Sequence, residues 1–370
     1  MIVIIVFLLM QVSSKMPESR LTIPDSHVTE DLLLSPDSSL LSVYRGGESA
    51  LWDVKENAEI AKFRGLGLDF LSTEELVVLT REGAGERVDV LTGEEWNRVV
   101  SSYELPTSSE ADVMTLAVDR ESDHLVMALR VGPRFEILAL TFRGQSRRYE
   151  IELGCKDVSR MAVRWNEDQS ASIAVACRSV PVVEIFTLSG PAPNAQLTRA
   201  FRLYLEDVDD PGPAGYTKGE LMITEDCQYL VSSHFDKRLR VWRLDDGTRL
   251  GELVSALGRV VLDLLEVATH NLVLELTAAG RQRILNFRSL PSFEVIARLS
   301  GDFATPGAMA LSQAETLGIA GFCHGKEMLP LPDGTLVERP TRSPCLRIYS
   351  WPEVLQAADL PPSAGSKSSR

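Results

Sequence analysis

The chain has 370 residues, 44% hydrophobic and 24% charged, a globular composition long enough for more than one ordinary domain or for one large closed all-β unit. Its formal net charge of −14, from 38 basic and 52 acidic side chains, disfavours nucleic acid and anionic membrane as partners, since both need clustered Lys and Arg. The five cysteines, Cys155, Cys177, Cys227, Cys323 and Cys345, contain no C-x-x-C pair, which argues against a closed zinc site.

Residues 2–10 are an unbroken apolar run, too short to span a membrane but of the length of a signal-peptide core. No basic segment leads it, and none of the six asparagines begins an N-x-Ser/Thr sequon. The expected location is therefore cytoplasmic, with secretion as the alternative, and residues 1–16 are set apart as an apolar leader. Residues 20–23 are a short strand candidate. Then come units of four short apolar stretches, alternating with period two and bounded by Asp, Gly and Ser, as in consecutive antiparallel strands. They cover about 28–63, 65–100, 112–153, 158–205, 219–254 and 259–299, and a last one begins near 308. Cys177 and Cys227 fall in or beside these strands, where they read as small core residues. Such spacing is the period of propeller blades, which stack around a ring to bury their faces.

Two units show a fuller pattern. The first has Leu34-Ser35-Pro36-Asp37, then Leu40-Leu41-Ser42-Val43, Arg45-Gly46-Gly47-Glu48 and Leu51-Trp52-Asp53-Val54. The other has Thr224-Glu225-Asp226-Cys227, Tyr229-Leu230-Val231, Asp236 and Leu239-Arg240-Val241-Trp242-Arg243. Both resemble the WD-repeat family, whose repeat runs from a Ser-Pro-Asp-Gly turn to a strand ending in Val-Trp-Asp. Trp52, Asp53, Asp236 and Trp242 stand at its repeat positions, while Arg243 replaces the second Asp and the Gly-His pair is missing. The resemblance implies an all-β, seven-bladed β-propeller over 17–358, closed by the strand near 20–23, with 359–370 as a disordered tail. It also implies a protein-interaction scaffold, either stand-alone or as the sensor part of a larger NACHT-type signalling NTPase.

Catalytic signatures are missing: there is no P-loop, G-x-S-x-G, H-E-x-x-H or G-x-G-x-x-G. His234 beside Asp236 reads as a turn, and Cys323, His324 and Cys345 match no zinc module. The chain is thus expected to be non-catalytic, without cofactor or metal, and a monomeric propeller within a larger assembly. A secreted propeller hydrolase or lectin is the reading from a different class; it needs clustered acidic or histidine residues at the central channel, which the sequence does not display. Function tends to sit on loops of a rigid scaffold, and two interruptions stand out. Residues 206–218 hold Glu206, Asp207, Asp209 and Asp210; residues 323–344 hold Lys326, Met328, Leu329, Arg339 and Arg342. Four prolines, Pro330, Pro332, Pro340 and Pro344, exclude a central strand there. By the resemblance both segments emerge on one face, as an acidic lip beside an adaptable apolar loop, for a basic, partly apolar protein partner.

Overall fold

The computed structural model describes residues 14–24, 29, 31–82, 85–93, 96, 98–105, 111–119, 124–131, 134–141, 146–151, 153, 155, 158–165, 170–177, 180–189, 196–205, 220–233, 238–254, 260–279, 282–302, 308–312, 316–330 and 336–361. Two short strands come first, β1 (Ser14–Lys15) and β2 (Leu21–Pro24). Antiparallel meanders follow. The first sheet is β3 (Asp31–Leu34), β4 (Leu40–Arg45), β5 (Glu48–Asp53) and β6 (Ala58–Arg64); the second is β7 (Leu66–Phe70), β8 (Leu76–Glu82), β9 (Gly85–Thr92) and β10 (Arg98–Glu104). β11 (Ala111–Asp119), β12 (His124–Val131), β13 (Arg134–Thr141) and β14 (Ser146–Ile151) form the third. β15 (Val158–Trp165), β16 (Ala171–Cys177), β17 (Val182–Ser189) and β18 (Gln196–Tyr204) form the fourth. β19 (Leu221–Ile223), β20 (Tyr229–Ser233), β21 (Arg238–Arg243) and β22 (Arg249–Val254) form the fifth.

The sixth sheet joins β23 (Val260–Val267), β24 (Leu272–Ala279), β25 (Gln282–Ser289) and β26 (Val295–Ser300), and β1 adds a fifth strand parallel to β26. The seventh joins β27 (Met309–Leu311), β28 (Thr316–Pro330) and β29 (Leu336–Ser350), with β2 as its outer strand. A short helix, α1 (Trp351–Ala357), ends the described chain. Among the described residues there are therefore six four-stranded sheets and one five-stranded sheet.

The first strand of each sheet touches that of the next, from β3 through β7, β11, β15, β19, β23 and β27 back to β3. The sheets thus stand radially around a central channel, and the fold is a β-propeller. The buried apolar residues fall into separate clusters, one at each junction between adjacent sheets. Middle strands such as β16, with six of its seven residues buried, are covered on both faces, so their sequences read as continuous apolar runs. Outer strands such as β6 and β10 stay largely exposed.

β2 pairs with β29 from Leu21 opposite Ile348 to Pro24 opposite Cys345, so an N-terminal strand completes the last sheet, as expected. Beside it, Met16 packs on the sixth-to-seventh junction together with Trp351, Val354 and Leu355 of α1. The segment expected as a leader therefore ends inside the fold: Ser14 and Lys15 lie opposite Leu299 and Ser300.

The two turns that suggested a repeat share one hydrogen-bond pattern. Ser35 Oγ donates to Asp37 Oδ1 at 2.7 Å, and Leu40 N donates to Ser35 Oγ at 2.9 Å. Likewise Thr224 Oγ1 donates to Asp226 Oδ1 at 2.6 Å, and Tyr229 N donates to Thr224 Oγ1 at 2.9 Å. Ser38 and Cys227 take the left-handed conformation, φ 64° and 54°, where the repeat consensus has glycine. Trp242 is 4% exposed, packs at the fourth-to-fifth junction and donates its indole N–H to Ser232 Oγ at 3.2 Å. Trp52, half-buried, packs against the seventh-to-first junction. Asp53 caps its turn through Glu56 N at 2.8 Å, and Asp236 lies outside the described residues.

Trp242→Ala is expected to destabilise the protein by about 3–5 kcal/mol, the cost of deleting a large buried aromatic, and Trp242→Phe by less because it refills most of the site. Chemical denaturation monitored by far-ultraviolet circular dichroism measures both; an unchanged midpoint for Trp242→Ala would place the residue outside the junction.

Candidate functional site

Because each sheet is an up-and-down meander, two kinds of connection share one face of the disc: those leading into each first strand, and those joining second to third strands. Of the two interruptions seen in the sequence, 323–344 belongs to that face. Glu206, Asp207, Asp209 and Asp210 lie outside the described residues. Lys326, Met328 and Leu329 lie on β28, opposite Pro340, Glu338 and Val337; Arg339 and Arg342 lie on β29, opposite Glu327 and His324.

The expectation of an irregular loop over 323–344 is overturned, because β28 and β29 continue through it as one long hairpin paired out to Pro330 and Leu336. The prolines are accommodated by strand parity. Arg20 N donates to Ile348 O at 2.8 Å, so the even-numbered backbone groups of β29 face β2. Pro340 and Pro344 have that parity, and β2 ends at Pro24, opposite Cys345. Their missing donors therefore fall on an open edge, where proline is tolerated, and the ladder to β28 loses nothing. β27 covers β28 only from Leu317 to Ile319. Beyond Phe322 and Pro344 the described hairpin is a two-stranded ribbon of eight residue pairs, long enough to reach roughly 27 Å past the sheet at about 3.4 Å per residue.

Two disulfides sit on the same face, Cys155–Cys177 and Cys323–Cys345, with Cα separations of 5.8 and 5.7 Å. Cys177, expected as a core thiol, is thus cross-linked, while Cys227 lies outside both bonds. Cys155–Cys177 ties the segment entering β15 to the end of β16 within the buried third-to-fourth junction. Cys323–Cys345 spans β28 and β29 where the ribbon leaves the sheet.

At the channel mouth on this face the fold assembles charges that no sequence motif announced. Asp31 and Asp263 there, and Asp69 deeper along β7, each accept a hydrogen bond from the next residue's N–H, at 2.7, 2.8 and 2.8 Å. Asp69 and Asp263, like Arg160, directly follow a register shift in their strands. A bulge frees an N–H from the ladder and re-aims the side chain beside it, which accounts for an aspartate there. Asp263 Oδ2 also accepts Met309 N of the next sheet at 2.7 Å, and Arg160 pairs with Glu220 at 3.1 Å.

Desolvation among the converging strands is the largest influence on Asp263 and raises its pKa well above the usual carboxylate range, with Glu220 and Asp31 adding repulsion. Asp31 is raised to about 6, again chiefly by desolvation, with Leu32 N–H and Arg160 opposing. Of the two, Asp31 is the more exposed to solvent. Asp31 and Arg160 interact although two sheets lie between them on one side of the ring and three on the other, which places both at the central opening. Toward the other face, desolvation raises Glu266 to about 7, helped by Glu225 and Asp226 and opposed by the Glu225 N–H and Arg164.

Among the described residues no group of three or more His, Cys, Asp or Glu side chains is arranged to hold a metal ion, and no helix is long and apolar enough to cross a membrane. His234 lies outside the described residues, beside Asp236. The fold and this face define a β-propeller with an acidic, ribbon-bearing mouth. No family model matches the chain, and no curated protein is significantly similar to it.

Raised carboxylates set a pH slope with a definite sign. Between about pH 5 and 7 the native state holds protons on Asp31, Asp263 and Glu266 that the unfolded chain has released, so stability falls as pH rises through that window. Asp37 and Asp89, whose pKa values are lowered, are ionised in both states there and add no slope. Melting temperature is expected to decline from about pH 5 to 8, and Asp31→Asn and Glu266→Gln each to flatten the decline. A flat wild-type profile, or two variants with the wild-type slope, would refute the assignment.

Proposed function

We propose that this protein is a non-catalytic interaction scaffold that engages a basic, partly apolar segment of another protein through its ribbon-bearing face. The paired β28–β29 ribbon carries this reading: a propeller needs no such projection to close, and this one leaves the ring on the same face as a mouth lined by Asp31, Glu220 and Asp263. Acidic surroundings on a chain of net charge −14 favour a cationic partner and steer its approach. The matching turns at Ser35–Asp37 and Thr224–Asp226, with Trp52 and Trp242 on equivalent strands, support a diverged WD-type repeat. Whether the propeller acts alone or as the sensor part of a larger signalling NTPase does not alter the use of this face.

The channel carboxylates give the hydrolase or lectin reading the acidic residues it requires. The local roles of Asp31, Asp69 and Asp263 as acceptors for the N–H of the following residue weigh against it. The cytoplasmic location expected from the sequence is not the one the disulfides favour. Two such bonds in one domain are ordinary in oxidising compartments and rare in the cytosol, so we infer that the protein works in an oxidising compartment.

A displayed random-peptide library tests the scaffold reading. The wild-type protein is expected to enrich peptides combining Lys or Arg with apolar residues, with binding weakened by salt because exposed charges are screened over about 10 Å at 0.1 M. A variant joining Gly321 to Ser343 through a tight turn, with Cys345→Ala, is expected to keep its circular dichroism spectrum, since shortening a loop mainly alters closure entropy. It is expected to lose the enrichment. Equal enrichment by both proteins would move the site elsewhere.

A further inference from the structure

We propose that Cys323–Cys345 is a reducible latch that holds the β28–β29 ribbon in its paired, binding-competent form, whereas Cys155–Cys177 is a permanent staple. The proposal rests on the reading above for its consequence, that reduction switches partner binding off, but the latch itself does not depend on a partner.

The two bonds look alike in sequence, each joining residues 22 apart, yet they sit in opposite surroundings. Cys155 and Cys177 are both buried, 6% and 0% exposed, inside the third-to-fourth junction, packed by Phe186, Ile173 and Met161. A reductant reaches them only if that junction opens. Cys345 is buried at 2%, but Cys323 is half-exposed and belongs to no junction cluster. It lies one residue past Phe322, whose N–H donates to Asp302 O at 2.9 Å. From there outward, among the described residues, neither β28 nor β29 has a third strand beside it. A two-stranded ribbon is marginal in water by itself, and a cross-link at its base removes much of the freedom it would gain by opening. Pro340 and Pro344 withdraw donors from the outer edge of β29, and β2 stops at Pro24.

Reduction by a dithiol proceeds by ordinary exchange. A thiolate of the dithiol attacks Sγ of the more accessible Cys323, breaking its bond to Cys345, whose sulfur leaves as thiolate and takes a proton. The second thiol of the dithiol then attacks the mixed disulfide, releasing Cys323 as a thiol and leaving the reductant as its cyclic disulfide. Two electrons pass from the dithiol to the cystine. The ring does not depend on this bond, because the seventh sheet keeps its clusters on both sides through Ala320, Leu346, Ile348 and Tyr349.

Native-state reduction of the full chain with dithiothreitol, followed by alkylation and mass spectrometry, reads the first half of the claim. Cys323 and Cys345 are expected to be labelled while Cys155 and Cys177 remain joined. Hydrogen exchange reads the second half. Amides of 322–330 and 336–344 are expected to exchange at least about tenfold faster once the latch opens, with the other sheets unchanged, since closing a loop of this length restrains the open state. The double substitution Cys323→Ser with Cys345→Ser is expected to give the same exchange pattern without reductant. Reduction of Cys155–Cys177 first or at the same rate, or an unchanged exchange rate in the ribbon after Cys323–Cys345 opens, would overturn the latch. A ribbon that loosens on reduction while library enrichment persists would leave the latch standing and refute its control of binding.

Discussion

A ring of sheets holds only if its first and last strands meet, and in this protein that condition falls on four residues, Leu21 to Pro24, laid against Ile348 to Cys345. Each sheet alone exposes two apolar faces, and stacking is what buries them. Until β2 docks, the seventh sheet lacks its outer strand. The chain reinforces this point more than any other. β1 clips onto the sixth sheet, α1 packs across the sixth-to-seventh junction, and Arg20 reaches Glu353 at 3.2 Å, so both described ends of the chain meet at one place on the rim.

What the sequence revealed depended on how far apart the interacting residues lie. The Ser35–Asp37 and Thr224–Asp226 turns were legible because donor and acceptor are near neighbours, and Trp52 and Trp242 because strand alternation marks their faces. The rule that proline excludes a central strand was sound at Pro340 and Pro344. What the sequence does not state is that this half of β29 is an edge, which depends on where β2 stops. The disulfides were hidden for a related reason. Cys323 meets Cys345 because of hairpin register, and Cys155 meets Cys177 because the segment entering β15 returns beside β16; neither follows from spacing. Asp31, Arg160, Glu220 and Asp263 come from four different sheets and converge only when the ring closes.

The rim shows a regularity of its own. In five sheets the outer strand carries an extra residue opposite the third strand, Ala200 in the fourth and Ile60, Val100, Leu250 and Ile296 in the others, each marked by a register shift. The last four are also among the large apolar side chains most open to solvent, at 39, 46, 42 and 41% exposure. A bulge twists a strand edge away from regular pairing and is a common guard against edge-to-edge association. The extra residue, left out of the ladder, has no neighbouring sheet to pack on, so its exposure follows from the same device. β1 shows the converse, since it pairs with β26 only at Leu299 and Ser300, beyond the bulge.

Charges divide by radius. In the outer half of the sheets, buried charges are neutralised within their own sheet: Glu184, fully buried, by Arg199 and Arg202 at 3.0 Å each, and Arg240, also fully buried, by Glu252 at 3.5 Å. The sign is reversed between these two adjacent sheets at the same third-to-fourth strand pairing, so what is kept is the cross-strand pair and not the residue type. Glu275 and Arg288, 2.6 Å apart, close a similar network in the sixth sheet. At the channel the polar contacts instead run between sheets, Arg160 to Glu220 from the fourth to the fifth and Asp263 to Met309 N from the sixth to the seventh. A change of charge on the rim therefore stays within one sheet, whereas protonation or a bound cation at the mouth alters contacts that join sheets. The mouth is thus the part of the ring through which an event at the binding face can reach the junctions that hold the structure together.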